Sequence, residues 1–267
     1  MPLLSDAEMT MTRRSFILST AVIVLVAFVL PCAVAYPADI KVLTSVALTS
    51  VLDELTPAFE KATGNKLEIG YGLAAELKKR VLDGEAADVI MLTRPMMDDL
   101  QKQDKFASDS LVNVAGTPVS VAVRAGAPKP DIGSVDAFKQ TLLTARSIVY
   151  ADPAKGGVSG VVFARALDRL GIAEAVKVKT ILVPGAQAAE VVAKGEAELG
   201  IGQASEIVPV AGAQLVGPLP GELASITVFT AAVSGGSKSP EAAKALIEFL
   251  TGPQAMPLFK SKGFQPG

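Results

Sequence analysis

Histidine and tryptophan are absent from the 267 residues, and cysteine occurs once, at Cys32. Without histidine there is no His-based catalytic triad, no zinc–His site and no usual general base near neutral pH. Excess positive charge is also missing. A net charge of −2 argues against a general nucleic-acid binder, which would carry a basic surface. Low-complexity tracts and short repeats are absent too, which leaves no basis for a solenoid or a disordered chain. What remains is 50% hydrophobic and 19% charged, enough chain for a large core in one or two domains.

The N-terminus reads as an export signal. Thr12-Arg13-Arg14-Ser15 precedes an apolar stretch from Phe16 to Leu30. That is about 15 residues, short for a membrane span and typical of a signal-peptide core. Ala33-Val34-Ala35 supplies an A-x-A cleavage site, so the mature chain is expected to begin at Tyr36. The paired arginines fit a twin-arginine signal; a general secretory signal with two arginines fits them as well. Pro31 stands where a lipoprotein signal needs a small residue before Cys32, which favours a soluble periplasmic product. The mature part then has no cysteine and holds together without disulfides.

Past the signal the chain alternates strand and helix patterns. Ile40, Val42 and Leu43 form a short buried run that breaks into Thr44 and Ser45. Leu48, Val51, Leu52, Leu55 and Phe59 then recur at helical spacing. A strand that opens directly into a helix points unpaired N–H groups and the positive end of the helix dipole at one spot, which favours an anion. Lys66–Tyr71 reads as a strand, Gly72-Leu73 as a turn, and Ala74–Leu82 as a helix with a Glu76–Arg80 pair. Ala87–Leu92 reads as a buried strand ending in Thr93-Arg94-Pro95 before a helix over Met96–Gln103. Successive strand–helix units mean a mostly parallel sheet with helices on its faces, and such sheets bind ligands at the carboxyl ends of their strands.

A second set of units follows a strand over Thr117–Arg124 and a loop at 126–130. It comprises helix Ser134–Leu142, strand Ser147–Tyr150, Gly-rich loop Ala151–Gly160 and helix Val161–Leu170. Strand Val178–Val183, helix Gln187–Lys194, strand Leu199–Gly202 and a short helix from Ser205 complete it. Strand Ile226–Val233 and two helices close the chain, the first with Ser239 as cap and Pro240 in its first turn. The fold class is α/β with two lobes. In the loop Ala151–Gly160, Ser159 is placed to cap the next helix, and the glycines let a ligand approach the backbone. An ordinary flexible loop between strand and helix fits the same residues.

The segments IKVLTSVALTSVLDELTPAFEKATG, LDGEAADVIML, YADPAKGGVSG, KGEAELGIGQASEIV and FLTGPQAMPLFKSKGF together resemble the molybdate-binding branch of the type II periplasmic solute-binding proteins. The resemblance runs in order over nearly the whole mature chain. It implies two α/β lobes joined by crossover strands, with a ligand cleft between them. The implied layout is a signal peptide over 1–35, lobe I over 36–118 and 225–267, and lobe II over 119–224. It also implies capture of a small anion for delivery to an inner-membrane ABC permease, without a cofactor, a metal or a nucleic acid, by a monomer.

Thr44, Ser45, Ser159 and Gln203 sit on matching family positions or beside them, and Gly72, Leu73 and Gly160 border the same strand ends. Gln187 opens a helix on the same side. The chain departs from the family at Ala47 and Ala74-Ala75, where serines are usual, at Gln203, where tyrosine is frequent, and at Arg94, where an acidic residue is usual. Losing two hydroxyl donors weakens a tetrahedral-oxyanion site. A guanidinium suits a carboxylate, which it can grip with two bonds. Arg94 is also readable as a solvated surface residue. The expectation is therefore an organic di- or tricarboxylate in preference to a molybdate-like oxyanion. Two other readings stay open, an exported ligand sensor and an enzyme using the same cleft. For catalysis the chain offers Ser45, Ser159, Asp88, Asp152 and Glu206, with neither a paired-carboxylate nor a Ser–Lys motif.

Overall fold

The computed structural model describes residues 37–106 and 110–267. The expected export signal, its cleavage site and Cys32 lie outside the described residues. The first elements are β1 (Asp39–Ser45), α1 (Thr49–Thr63), β2 (Lys66–Gly72), α2 (Ala74–Leu82), β3 (Val89–Thr93) and α3 (Arg94–Gln101). A 13-residue strand, β4 (Val112–Arg124), leads to α4 (Val135–Thr144), β5 (Ile148–Ala151), α5 (Val158–Leu170) and α6 (Ala173–Lys177). Then come β6 (Thr180–Val183), α7 (Ala188–Ala193), β7 (Leu199–Gln203), α8 (Ala204–Ile207) and β8 (Ala213–Pro218). The chain ends with β9 (Ile226–Val233), α9 (Pro240–Thr251), α10 (Met256–Ser261) and β10 (Gln265–Pro266).

The strands run in the order β2-β1-β3-β9-β4-β7-β5-β6, with β8 and β10 also paired to β4. β2, β1 and β3 are parallel, as are β7, β5 and β6. β4 and β9 run antiparallel to their neighbours. The early half of β4 pairs with β9 and the later half with β7, so one strand passes through both halves of the sheet.

Packing follows the same division. Ile40, Val42, Leu48, Val51, Leu52, Leu55 and Phe59 share a core with Phe229, Leu246, Leu250, Phe259 and Phe264. Val119, Val121 and Val123 share another with Phe138, Ile148, Phe163, Leu167 and Ile201. The apolar positions expected of the helix after Ser45 are all buried, and Gly64 ends that helix in the left-handed conformation at φ 76°.

Several local expectations change. The structure extends β4 five residues earlier than Thr117. α6 and β8 lacked a pattern long enough to read. Arg80 is held by Glu85 through two bonds of 2.6 and 2.7 Å, in place of the expected partner Glu76. Ser239 holds the N-cap position of α9, but its hydroxyl makes no capping bond. The buried Asp88 carboxylate instead fixes the approach to the helix, accepting from the N–H groups of Lys238 and Ser239 at 2.9 and 3.2 Å. It also accepts from Lys41 N at 2.9 Å and the Ser237 hydroxyl at 2.7 Å. Burial pushes its pKa up, and these four donors outweigh that, holding the carboxyl below its ordinary value. Asp88 is thus a structural tie between β1, β3 and α9.

Candidate functional site

The carboxyl ends of β1, β2, β3, β5 and β7 carry the expected site residues. Thr44 and Ser45 are the last residues of β1, where the sequence suggested a turn, and a 3-10 turn over Val46–Leu48 separates them from α1. Ser45 Oγ accepts from Ala47 N at 3.3 Å. Thr44 is fully buried, and its hydroxyl has no hydrogen-bond partner. On the neighbouring strand, Gly72 ends β2 and Leu73 is the N-cap of α2 without a side chain bonding the first-turn N–H groups.

The Gly-rich segment is more ordered than its composition suggests. Pro153–Lys155 forms a 3-10 turn capped by Asp152, whose carboxylate accepts from Ala154 N at 2.9 Å. α5 begins at Val158, three residues before the expected start. Ser159 therefore lies inside the first turn, and Gly157 is the N-cap, again with no side-chain bond to the helix. Gly160 also serves packing. A Cβ there would lie 1.9 Å from the Ala151 carbonyl oxygen, so the helix can press onto the end of β5 only with glycine. Ser159 is 3% exposed, and its hydroxyl bonds no described residue.

The structure brings the starts of α2 and α5 together. A Cβ on Gly156 would approach the Ala75 methyl to 2.7 Å, and Val158 packs against the cluster containing Leu43, Ala74 and Leu77. A Cβ on Gly185 would lie 3.4 Å from Leu73 Cδ2, at ordinary contact distance. Two helix N-termini this close bring like ends of two dipoles together. That arrangement is favourable when an anion sits between them and accepts from their free N–H groups.

Gln203 ends β7 and precedes α8, which packs against the 46–48 turn after Thr44 and Ser45. Its side-chain carbonyl is buried without a partner, as is the hydroxyl of Ser205. Ser205 N donates to Thr117 Oγ1 at 3.1 Å, and that hydroxyl donates to the Gly263 carbonyl at 3.2 Å. These bonds link α8 to β4 and to the C-terminal segment. Glu206 accepts from Gln203 N at 3.1 Å. Burial pushes its carboxyl up to about 7, against the opposing pull of that N–H.

Two expected residues stand apart. Arg94 opens α3 but is exposed, with its Nε on Asp98 at 2.7 Å and its Nη1 on Asn113 Oδ1 at 3.3 Å. Gln187 is the exposed N-cap residue of α7 and caps with no side-chain bond. Gly156 belongs to the Gly-rich loop singled out in the sequence, whereas the unpartnered Ser205 hydroxyl was not named as a candidate. Ser205 lies two positions after Gln203 and was within reach of the same argument. That Gly156 lies against Ala75 becomes visible only when the helices pack.

A family model for bacterial extracellular solute-binding proteins matches residues 40–265. Aconitate isomerase from Pseudomonas sp. is 36% identical over 233 residues, covering 85% of this chain and 87% of that protein. Molybdate-binding protein ModA from Azotobacter vinelandii is 30% identical over 261 residues, covering 94% of this chain and 98% of that protein. Among solved structures, the Azotobacter vinelandii periplasmic molybdate-binding protein superposes with a TM-score of 0.70 at 20% identity, over 85% of this chain and 99% of that one.

Proposed function

The chain belongs to the bacterial extracellular solute-binding proteins, in their molybdate-binding-like branch, and from that premise we propose that it captures a small organic polycarboxylate for delivery to an ABC importer. The adjacent, uncapped starts of α2 and α5 carry this reading, because they offer backbone N–H groups to a carboxylate from two helices. Thr44, Ser159, Ser205 and Gln203 add polar groups that lack protein partners. Ala47, Ala74, Leu73 and Val158 supply apolar surface beside them, which suits a carbon skeleton better than a bare oxyanion. The relative named aconitate isomerase supports the same ligand class. In this reading lobe I comprises 36–118 and 225–267, lobe II comprises 119–224, and the exported monomer works in the periplasm without a cofactor. Arg94 stays outside the contact set, since Asp98 and Asn113 engage it.

That relative also favours a second reading, in which bound aconitate is isomerised. Shifting the double bond needs one proton removed from carbon and one returned, with no redox partner. A carboxyl with a pKa near 7, such as Glu206, can do both at neutral pH. Thermal-shift titration with tricarballylate, aconitate, succinate and molybdate tests the binding proposal. A tricarboxylate at 100 times its Kd should raise Tm by about 5 °C or more. Stabilisation by molybdate alone would overturn the organic-anion reading. Proton NMR of aconitate incubated with the protein in deuterated water tests the second reading, which requires both isomerisation and deuterium uptake.

A further inference from the structure

Away from the cleft, a cavity of about 230 Å³ lies between α5 and the segment leading into β9. Val162, Arg165, Ala166 and Arg169 form one wall; Glu222, Leu223, Ala224 and Ser225 form the other. Arg165 and Arg169 are one turn apart on α5, so two like charges share one concave surface. Three other arginines are matched with carboxylates: Arg80 with Glu85, Arg94 with Asp98, and Arg146 with Glu198. Arg124, which lacks an ion pair, lies over Gly195. Among the described residues, neither Arg165 nor Arg169 has a carboxylate within ion-pair distance. Arg169 spends one N–H on the Glu222 backbone carbonyl at 3.3 Å, and its remaining donors are uncommitted. The Glu222 carboxylate is the one acidic group on the wall and pairs with neither guanidinium.

We propose that this cavity is a second anion site, separate from the cleft, which takes a compact phosphate or carboxylate between Arg165 and Arg169. Two guanidinium forks on one helix face match the oxygens of such a group, and each bond would be charge-assisted. The position gives the site a consequence. Ser225 holds β4 through its carbonyl, which accepts from Val119 N at 2.9 Å, and β9 begins at the next residue. An anion bridging α5 to 222–225 would brace the helix that forms one wall of the cleft against the strand pair that leaves its lobe.

The test compares the wild type, Arg165→Ala/Arg169→Ala and Gln203→Ala. Inorganic phosphate and citrate are titrated at constant ionic strength against a sodium chloride control, with Tm and calorimetric heat as readouts. The arginines are exposed and outside the cleft, so the double variant should fold normally, with its far-ultraviolet spectrum as a check. Stabilisation by phosphate that persists in Gln203→Ala and disappears in the double variant would establish the site. A citrate response that includes a second heat, lost only in the double variant, would identify carboxylate as an occupant. Phosphate stabilisation equal to that of chloride, or unchanged in the double variant, would overturn it.

Discussion

Single side chains in this protein are constrained by what they touch, and three of them give sharp tests. Gly160→Ala drives a methyl into the Ala151 carbonyl, so it should cost about 3 kcal/mol or prevent folding. Urea denaturation measures this, and an effect below about 1 kcal/mol would mean that α5 shifts freely on β5. Asp88→Ala strands four donors from two segments, Lys41 and 237–239, and should cost a similar amount. Ionised Asp88 is favoured by the fold, so its contribution is present above its unfolded pKa of about 3.9 and is lost as pH falls through its lower folded value. Glu206 works in the opposite direction. Its folded pKa of about 7 exceeds the unfolded value of about 4.3, so the fold prefers it protonated. Stability should therefore fall as pH rises between those two values, by on the order of 4 kcal/mol. Glu206→Gln should flatten that slope, and an unchanged slope would assign it to other groups.

At the scale of elements, most strands and helices were legible because their apolar residues recur at period 2 or 3.6. β9 and α2 match the sequence reading residue for residue, and the buried faces of α1 and α9 are the ones their periodicity marks. Where helices begin was harder to read. A glycine-rich approach to α5 looks like a loop, because glycine's low helix propensity hides a helix start fixed by contact with β5. Ser239 stands at the N-cap of α9 as read, but the segment before it is held by Asp88, about 150 residues away, which no local pattern shows. The alanines at the cleft make an element-level prediction. Ala47→Ser adds a hydroxyl to the turn after β1. On the family resemblance it should strengthen molybdate binding by about tenfold, the worth of one hydrogen bond to a charged ligand. Calorimetry with molybdate on both proteins checks it, and no gain would remove residue 47 from the contact set.

Across the whole molecule, the starts of α2 and α5 meet through small residues, and in the proposed function the closing of the walls on a ligand depends on their size. Ala75→Val adds bulk where Gly156 comes close. It should leave the unliganded Tm within about 2 °C, since Ala75 is exposed, yet weaken the ligand by about tenfold by holding the walls apart. Titration of the best polycarboxylate from the thermal screen measures this, and unchanged affinity would place the ligand away from the α2–α5 junction. The sequence by itself determined the α/β class and the two sets of strand–helix units, because these follow from local periodicity. Thr44 and Ser45 were reachable on those grounds, whereas Gln203 was singled out through the family resemblance. Only the tertiary structure decided that the starts of α2 and α5 lie side by side. It alone separated Arg94, held by Asp98, from Arg165 and Arg169, left without counter-charges. Those outcomes depend on which groups remain unpartnered after distant segments pack, and no local pattern records that.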